Sequence, residues 1–278
     1  MSIGVFLAVL LAAALHATWN ALIKFGGDKL QGMFLFSLGH MLLGLLLIAF
    51  SPLPDPASWG WLALSIAIHL VYQLALVAAY ERGDLSRVYP IARGSAPLMV
   101  LLFSLVFLAD QVGLFQIGGI ILVSCGILLM ALGVFRASEN RSLIGFALLS
   151  ALGTAGYSIA DGLGARASGS ATAYIGWLMV LGGLVFMAVA YAKRGKAIYP
   201  TERQVWIKGI FAGFLSLVAY WIAVWAMTQA PIALVTALRE TSVLFAVAIG
   251  VIFLKEKFDR QKLFATLLII AGIIAIRV

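Results

Sequence analysis

The sequence predicts an all-α integral membrane protein: ten transmembrane helices forming two inverted five-helix repeats around a central cavity. Three observations predict it. Of the 278 residues, 63% are hydrophobic and 11% charged, with a mean hydropathy of +1.08, whereas a soluble domain carries about 25% charged residues. The apolar residues fall into ten runs, each of roughly the 20 residues needed to cross a bilayer. The junction after the fourth run, FLADQVGLFQI at 107–117, returns 146 positions later as FLKEKFDRQKL at 253–263, with Asp110 matched by Glu256.

In chain order the runs cover about 3–25, 30–50, 59–81, 85–109, 114–134, 142–165, 170–192, 205–228, 231–254 and 261–277. Their separators carry turn chemistry: Gly26-Gly27-Asp28, Ser51-Pro52-Leu53-Pro54-Asp55-Pro56, Gly83-Asp84, Glu139-Asn140, Gly169 and Ala230-Pro231. The separators are short, which leaves no room for an extramembrane domain. Alternating segments of about ten residues, the mark of a membrane barrel, are absent. Helices are then the way to satisfy the backbone in lipid. The N-terminal stretch lacks a positive region and its apolar run outlasts a signal peptide, so it reads as a retained first helix. The single Cys125 lies inside an apolar run and reads as a small packing residue, which excludes a disulfide framework or a thiolate metal site.

Sorting Lys and Arg by loop side gives a large asymmetry. One side collects Lys29, Arg82, Arg87, Arg136, Arg141, Lys193, Arg194, Lys196, Arg203, Lys208, Lys255, Lys257, Arg260 and Lys262, fourteen of nineteen, and the other Arg166 and Arg277. The positive-inside rule places the richer side in the cytoplasm and both termini outside it. The net charge of +8 is thus a topology signal, and no nucleic-acid partner is needed to explain it.

Five is an odd number, so a second five-helix unit enters the membrane upside down relative to the first. This accounts for the two junctions: the external one carries no cations, and the internal one carries Lys255, Lys257, Arg260 and Lys262. The repeats are expected at 1–136 and 137–278. Residues 84–132 align without a gap on 230–278, pairing Arg93 with Arg239, Asp110 with Glu256, and Gly126-Ile127 with Gly272-Ile273. In the first helix of each half Asn20 falls on Tyr157 and Lys24 on Asp161. Transporters built this way hold substrate near the midplane between the halves.

An ionisable side chain deep in a span costs about 2.5–3.5 kcal/mol on insertion scales, so it faces a cavity or a partner. Arg93 lies about one-third along the fourth run, Arg239 and Glu240 one-third along the ninth, Asp161 near the outer end of the sixth, and Lys24 near the inner end of the first. Two readings are open. Internal ion pairs, Glu240 with Arg93 or Asp161 with Arg239, would pin helices together, and Lys24 would snorkel. Alternatively the arginines take a substrate carboxylate while Glu240 or Asp161 takes an ammonium. Adjacent helical residues point about 100° apart, so Arg239 and Glu240 converge only where the helix is distorted.

The fourth run begins LSRVYPIARGSAP, and its Pro90 and Pro97 are expected to kink it around Arg93. The ninth opens on Pro231 in the favourable first turn. Polar and aromatic residues at similar depth complete a candidate pocket: Trp19 and Asn20 with His16, Tyr72 and Gln73, Tyr89, Tyr157, and Tyr220 with Trp221. For His16 and His69, helix packing and proton relay are both open.

HATWNALIK at 16–24, RGDLSRVYPIARGSAP at 82–97 and APIALVTALRETSVLFAVAIGVIFLKEKF at 230–258 resemble the EamA family of the drug/metabolite transporter superfamily, in two copies over essentially the whole chain. The resemblance implies a basket of helices around a central cavity, alternating access, and export of amino acids, other metabolites or drugs, some relatives being importers. It suggests a multi-pass amino-acid exporter of the bacterial inner membrane. No Gly-rich phosphate loop and no His-Glu-x-x-His or Gly-x-Ser-x-Gly motif is present, so an ATPase or an intramembrane enzyme is not expected. Neither cofactor nor metal is expected; the partners are a small-molecule substrate and the bilayer, and a monomer suffices to enclose a path. A purely cationic substrate is the competing reading, and two buried arginines argue against it.

Overall fold

The structure, a computed structural model, describes residues 1–24, 28–82, 85–131, 142–255 and 259–278. Among these there is no strand. Eleven helices follow in order: α1 (Ile3–Lys24), α2 (Lys29–Ala49), α3 (Trp59–Arg82), α4 (Leu85–Phe107), α5 (Leu114–Ala131), α6 (Ser142–Ala167), α7 (Ala171–Arg194), α8 (Arg203–Gln229), α9 (Ile232–Glu240), α10 (Ser242–Leu254) and α11 (Arg260–Arg277). Among the described residues six stretches are long and apolar enough to cross a membrane: Ile3–Leu22, Lys29–Ala49, Pro56–Ala75, Ala171–Ile198, Arg203–Gln229 and Ile232–Ile252. The turns at Gly26-Gly27, Gly83-Asp84 and Glu139-Asn140, the repeat boundary at 136/137 and Glu256 lie outside the described residues.

Helix starts follow the separators. The Asp28 carboxylate caps α2 by accepting from the amides of Leu30 at 2.9 Å and Gln31 at 3.1 Å, Ser170 caps α7 and Asp259 caps α11, each satisfying orphan amides of the first turn. Gly169 and Gly195 take positive φ where the chain turns before and after α7. Burial alone raises the Asp28 carboxyl, but the Gln31 amide, the Arg194 guanidinium and the Leu30 amide hold it below its ordinary value.

The turns meet in two groups. At one end of the bundle Asp28 pairs with Arg194, Gln31 Nε2 donates to the Ala197 carbonyl at 2.9 Å, and Gln261 Nε2 donates to the Leu129 carbonyl at 2.6 Å. At the other end the Asp55 amide donates to the Ser168 carbonyl at 3.2 Å and Asp110 meets Arg166. The first group belongs to the cation-rich loops and the second to the cation-poor ones.

Contacts between the halves occur in matching pairs. Helix α1 packs on α8, as α6 packs on α3, and α5 packs on α11. At the last interface a Cβ on Gly119 would stand 2.7 Å from the Gly272 carbonyl oxygen, and one on Gly126 would stand 2.9 Å from that of Ala265. Under the 146-residue offset Gly119 maps to Ala265 and Gly126 to Gly272, so the two contacts exchange into each other. Backbones this close need small residues at the crossing. Gly272→Val is therefore expected to lower stability by about 1–3 kcal/mol, the usual cost of overpacking, read as a lower melting temperature in detergent. Gly118→Val, with nothing within 4 Å of its Cβ, is expected to leave the melting temperature unchanged. Cys125, on the same helix, is exposed on the outer surface rather than packed, because Val123, Gly126 and Ile127 hold the buried face.

The ninth apolar run is two helices. Helix α4 stays a single helix through Pro90 and Pro97, while the break falls at Thr241, between α9 and α10. Its cause is local: the Thr241 hydroxyl donates back to the Leu238 carbonyl at 2.5 Å and its amide turns to the same carbonyl at 3.1 Å, a tightened turn of the kind Ser and Thr induce. All nine residues of α9 are buried. A helix without an exposed face must be surrounded, and α1, α4, α5, α6 and α8 surround it.

Candidate functional site

The encirclement of α9 brings its two charged residues to the middle of the bundle. Glu240 is 0% exposed, Arg239 3% and Arg93 5%. Arg93 Nη1, from α4, donates to both Glu240 oxygens at 3.1 and 3.0 Å. Arg239 Nη2 donates to Glu240 Oε1 at 3.3 Å. The same nitrogen lies 3.5 Å from the Tyr157 and Ser158 hydroxyls, and Arg239 Nε has no partner. Glu240 is thus tightly held by Arg93 and loosely by Arg239. Two guanidinium groups against one carboxylate leave a net positive charge.

Helix α1 contributes His16. Arg93 Nη2 stands 2.6 Å from His16 Nε2. A guanidinium only donates, so Nε2 accepts, and the one proton of a neutral imidazole sits on Nδ1. Nδ1 lies 3.3 Å from the Trp19 indole Nε1, also a donor only, so that approach is an edge-on ring contact with centroids 5.0 Å apart rather than a second full hydrogen bond. Asn20 folds back on its own helix, donating to the His16 carbonyl at 2.9 Å. The side chains of Lys24 and Tyr89 lie outside the described residues.

A second polar node sits on α6. Asp161, 0% exposed, accepts from the Tyr174 hydroxyl of α7 at 3.0 Å and from the Tyr220 hydroxyl of α8. Asp161 therefore bonds to phenols, not to Arg239. The rings nearby form a cluster: Tyr157 stacks on His69 at 4.3 Å, and Tyr220 meets the edge of each at 5.9 Å. Tyr72 meets Tyr157 at 5.5 Å, with Gln73 next to it on α3. The Arg239 guanidinium carbon lies 5.7 Å from the Tyr157 centroid and 5.5 Å from that of Tyr220, within cation–π range.

The structure thus unites Arg93, Glu240, Arg239, His16 and Tyr157 in one centre, with Asp161 joined to it through Tyr220. Trp221 turns away, donating to the Thr172 hydroxyl at 3.1 Å, because one step along α8 rotates the side chain by about 100°. The sequence reading did not single out Tyr174 or Ser158. A signal existed for Tyr174, since a phenol within an apolar run needs a partner for its hydroxyl. Arg166, read from sequence as a loop charge, is a clasp at the cation-poor end. It pairs with Asp110 at 2.8 and 3.1 Å and donates to the Met227 and Ala230 carbonyls at 2.8 and 3.0 Å, while the Ile232 amide donates to Asp110 at 3.0 Å.

Long apolar helices that converge charged side chains on a buried centre define a multi-pass membrane protein with a polar interior. The model of the EamA-like transporter family matches twice, over residues 2–132 and 141–278. The chain belongs to the EamA-like transporter family, a family of membrane transporters. One solved crystal structure is similar over 99% of this chain and 98% of its own, with a TM-score of 0.79 at 16% identity, a likeness of fold. No significant sequence match is found among curated proteins.

Proposed function

We propose that the chain is a secondary transporter that moves small polar metabolites, most of all amino acids, outward across the bacterial inner membrane by alternating access. In this reading the helices make ten spans, α9 and α10 together counting as one, in two inverted repeats around a central path, with both termini periplasmic. The observation that carries it is the convergence of Arg93 from the first half and Arg239 and Glu240 from the second on one buried point, since intramembrane charges at such a junction mark a substrate path. Arg93, Arg239 and Glu240 engage the charged ends of the substrate, and Trp19, Asn20, Gln73, Tyr89 and Tyr157 line its path. His16, Asp161 and Lys24 serve as proton or charge relays. The chain acts as a transporter without cofactor and without enzymatic activity, and a monomer suffices.

A second reading, an exporter of organic cations, draws on the Arg239 guanidinium lying over two tyrosine rings, a place a substrate cation could take. Counterflow into liposomes loaded with amino acids, organic cations or sugars separates the two. Exchange of amino acids, with neither cations nor sugars moving, is expected; exchange of cations alone would replace the first reading by the second, and exchange of sugars alone would end both.

A further inference from the structure

We propose that the link between α7 and α8 seats an anionic phospholipid: Lys196, Arg203 and the Tyr199 hydroxyl take its phosphodiester headgroup, and an acyl chain lies along Ile207 and Phe211. The seat is on the outer surface of the bundle and stands apart from the transport reading. The link runs through a 3-10 turn, Gly195–Ile198, at the cation-rich end. Four attachments fix it. Arg194 pairs with Asp28, the Ala197 carbonyl accepts from Gln31 at 2.9 Å, Ile198 is fully buried, and the Pro200 carbonyl accepts from the Trp206 indole at 2.9 Å. A shelf held in this way has little ordering entropy left to lose when a ligand binds.

The charge on the shelf is unbalanced. Arg194 is met by Asp28, but Lys196 and Arg203 are exposed, and among the described residues neither has an acid within ion-pair distance. Rings stand beside them. Exposed Tyr199 lies parallel to Trp206, with centroids 6.4 Å apart and planes at 5°, and Tyr191 flanks it at 6.3 Å. The Tyr199 amide donates to the Lys196 carbonyl at 3.2 Å, which keeps Lys196 one tight turn from the phenol. Arg203 precedes Trp206 by three residues, so the two share a face of α8.

Cations and aromatic rings at a helix end also serve as plain interfacial anchors, and the order of residues in depth separates a lipid seat from these. Arg203, Ile207 and Phe211 are spaced i, i+4, i+8 along one exposed stripe of α8. At about 1.5 Å per residue, Ile207 and Phe211 lie about 6 and 12 Å beyond Arg203. The headgroup layer of a bilayer is about 5–7 Å deep on each side. The guanidinium therefore stands at phosphate depth when Ile207 meets the edge of the hydrocarbon and Phe211 lies within it. An anionic lipid balances the two cations, whereas a zwitterionic one brings a further cation against them. The link between α2 and α3, residues 50–58, carries Asp55 and no Lys or Arg, so the first half has no such seat.

The test uses the full chain in detergent, with dioleoylphosphatidylglycerol as the anionic probe and dioleoylphosphatidylcholine as the zwitterionic one, both brominated on their acyl chains to quench an indole on contact. Phosphatidylglycerol is expected to bind more tightly at low salt and to lose that advantage at high salt. Part of its quenching is expected to vanish in Trp206→Phe, which marks the acyl chain at this place. Lys196→Gln combined with Arg203→Gln is expected to weaken phosphatidylglycerol about 25-fold, about fivefold for each cation beside an anionic headgroup, with the melting temperature in plain detergent unchanged. Lys208→Gln combined with Arg260→Gln removes as much charge from exposed positions at the same end and is expected to leave binding intact. An equal loss in both pairs would mean diffuse attraction, equal binding of the two lipids a plain anchor, and full displacement by sn-glycerol 3-phosphate a site for free phosphate esters. Each of these results overturns the proposal and leaves the transport reading standing.

Discussion

Glu240→Gln and Arg93→Ala are each expected to abolish transport in loaded proteoliposomes while the protein stays monodisperse in detergent. Glu240 accepts both of its closest bonds from Arg93 at 3.0 and 3.1 Å, in a place without solvent. Charge-assisted bonds of this kind are worth far more there than at a surface. Removing the charge is expected to cost substrate recognition about 3 kcal/mol, or about a hundredfold in flux at limiting substrate. Arg93→Ala is the harsher change because it leaves Glu240 with only its loose bond to Arg239 and takes the partner from His16. Full flux in both variants would exclude the charged centre from the substrate path. Aggregation of both would make the pair a structural pin.

Arg166→Ala is expected to give the next largest effect, this time on stability. The side chain holds four acceptors, two on Asp110 and two backbone carbonyls at the end of α8, so its loss unties α6 from both the α8–α9 turn and the α4–α5 link, which keep only the Ile232 amide bond to Asp110 between them. Arg166 is 30% exposed, which tempers the pair's own worth through solvent screening. The loss is about 1–3 kcal/mol, mostly from carbonyls left without a donor. Arg166→Lys is expected to recover little of it, since a single ammonium cannot reproduce the planar fork. A melting temperature equal to wild type in Arg166→Ala would mean the clasp contributes nothing.

What the sequence disclosed, and what it withheld, follows from the range of each signal. Apolar runs and turn residues are local, so the helix bounds agree within a few residues except in the ninth run. The break there was not legible, because a Thr that bonds back to its own turn carries no composition signal. The offset between Arg93 and Arg239 disclosed two charges that the structure brings together. The pair of Arg93 with Glu240 was one of the readings the residues offered, and it forms; the partners of Arg239 were not legible, since apolar helices of similar length allow several rotations about their axes. That freedom also explains Tyr220: it and Trp221 are neighbours in sequence, and only the rotation of α8 decides which ring meets Asp161. Arg166 was opaque for another reason, as two of its acceptors are backbone carbonyls, which every residue possesses.

The glycine crossing of α5 and α11 has one further meaning. Interchanging the shapes of the two halves turns the Gly119–Gly272 contact into the Gly126–Ala265 contact and back again, so the crossing looks the same before and after. If opening to one side of the membrane and to the other are mirror events of that sort, these two helices have no reason to shift between them. They would act as the axle of the machine, and the work of transport would fall to the helices that swing about it.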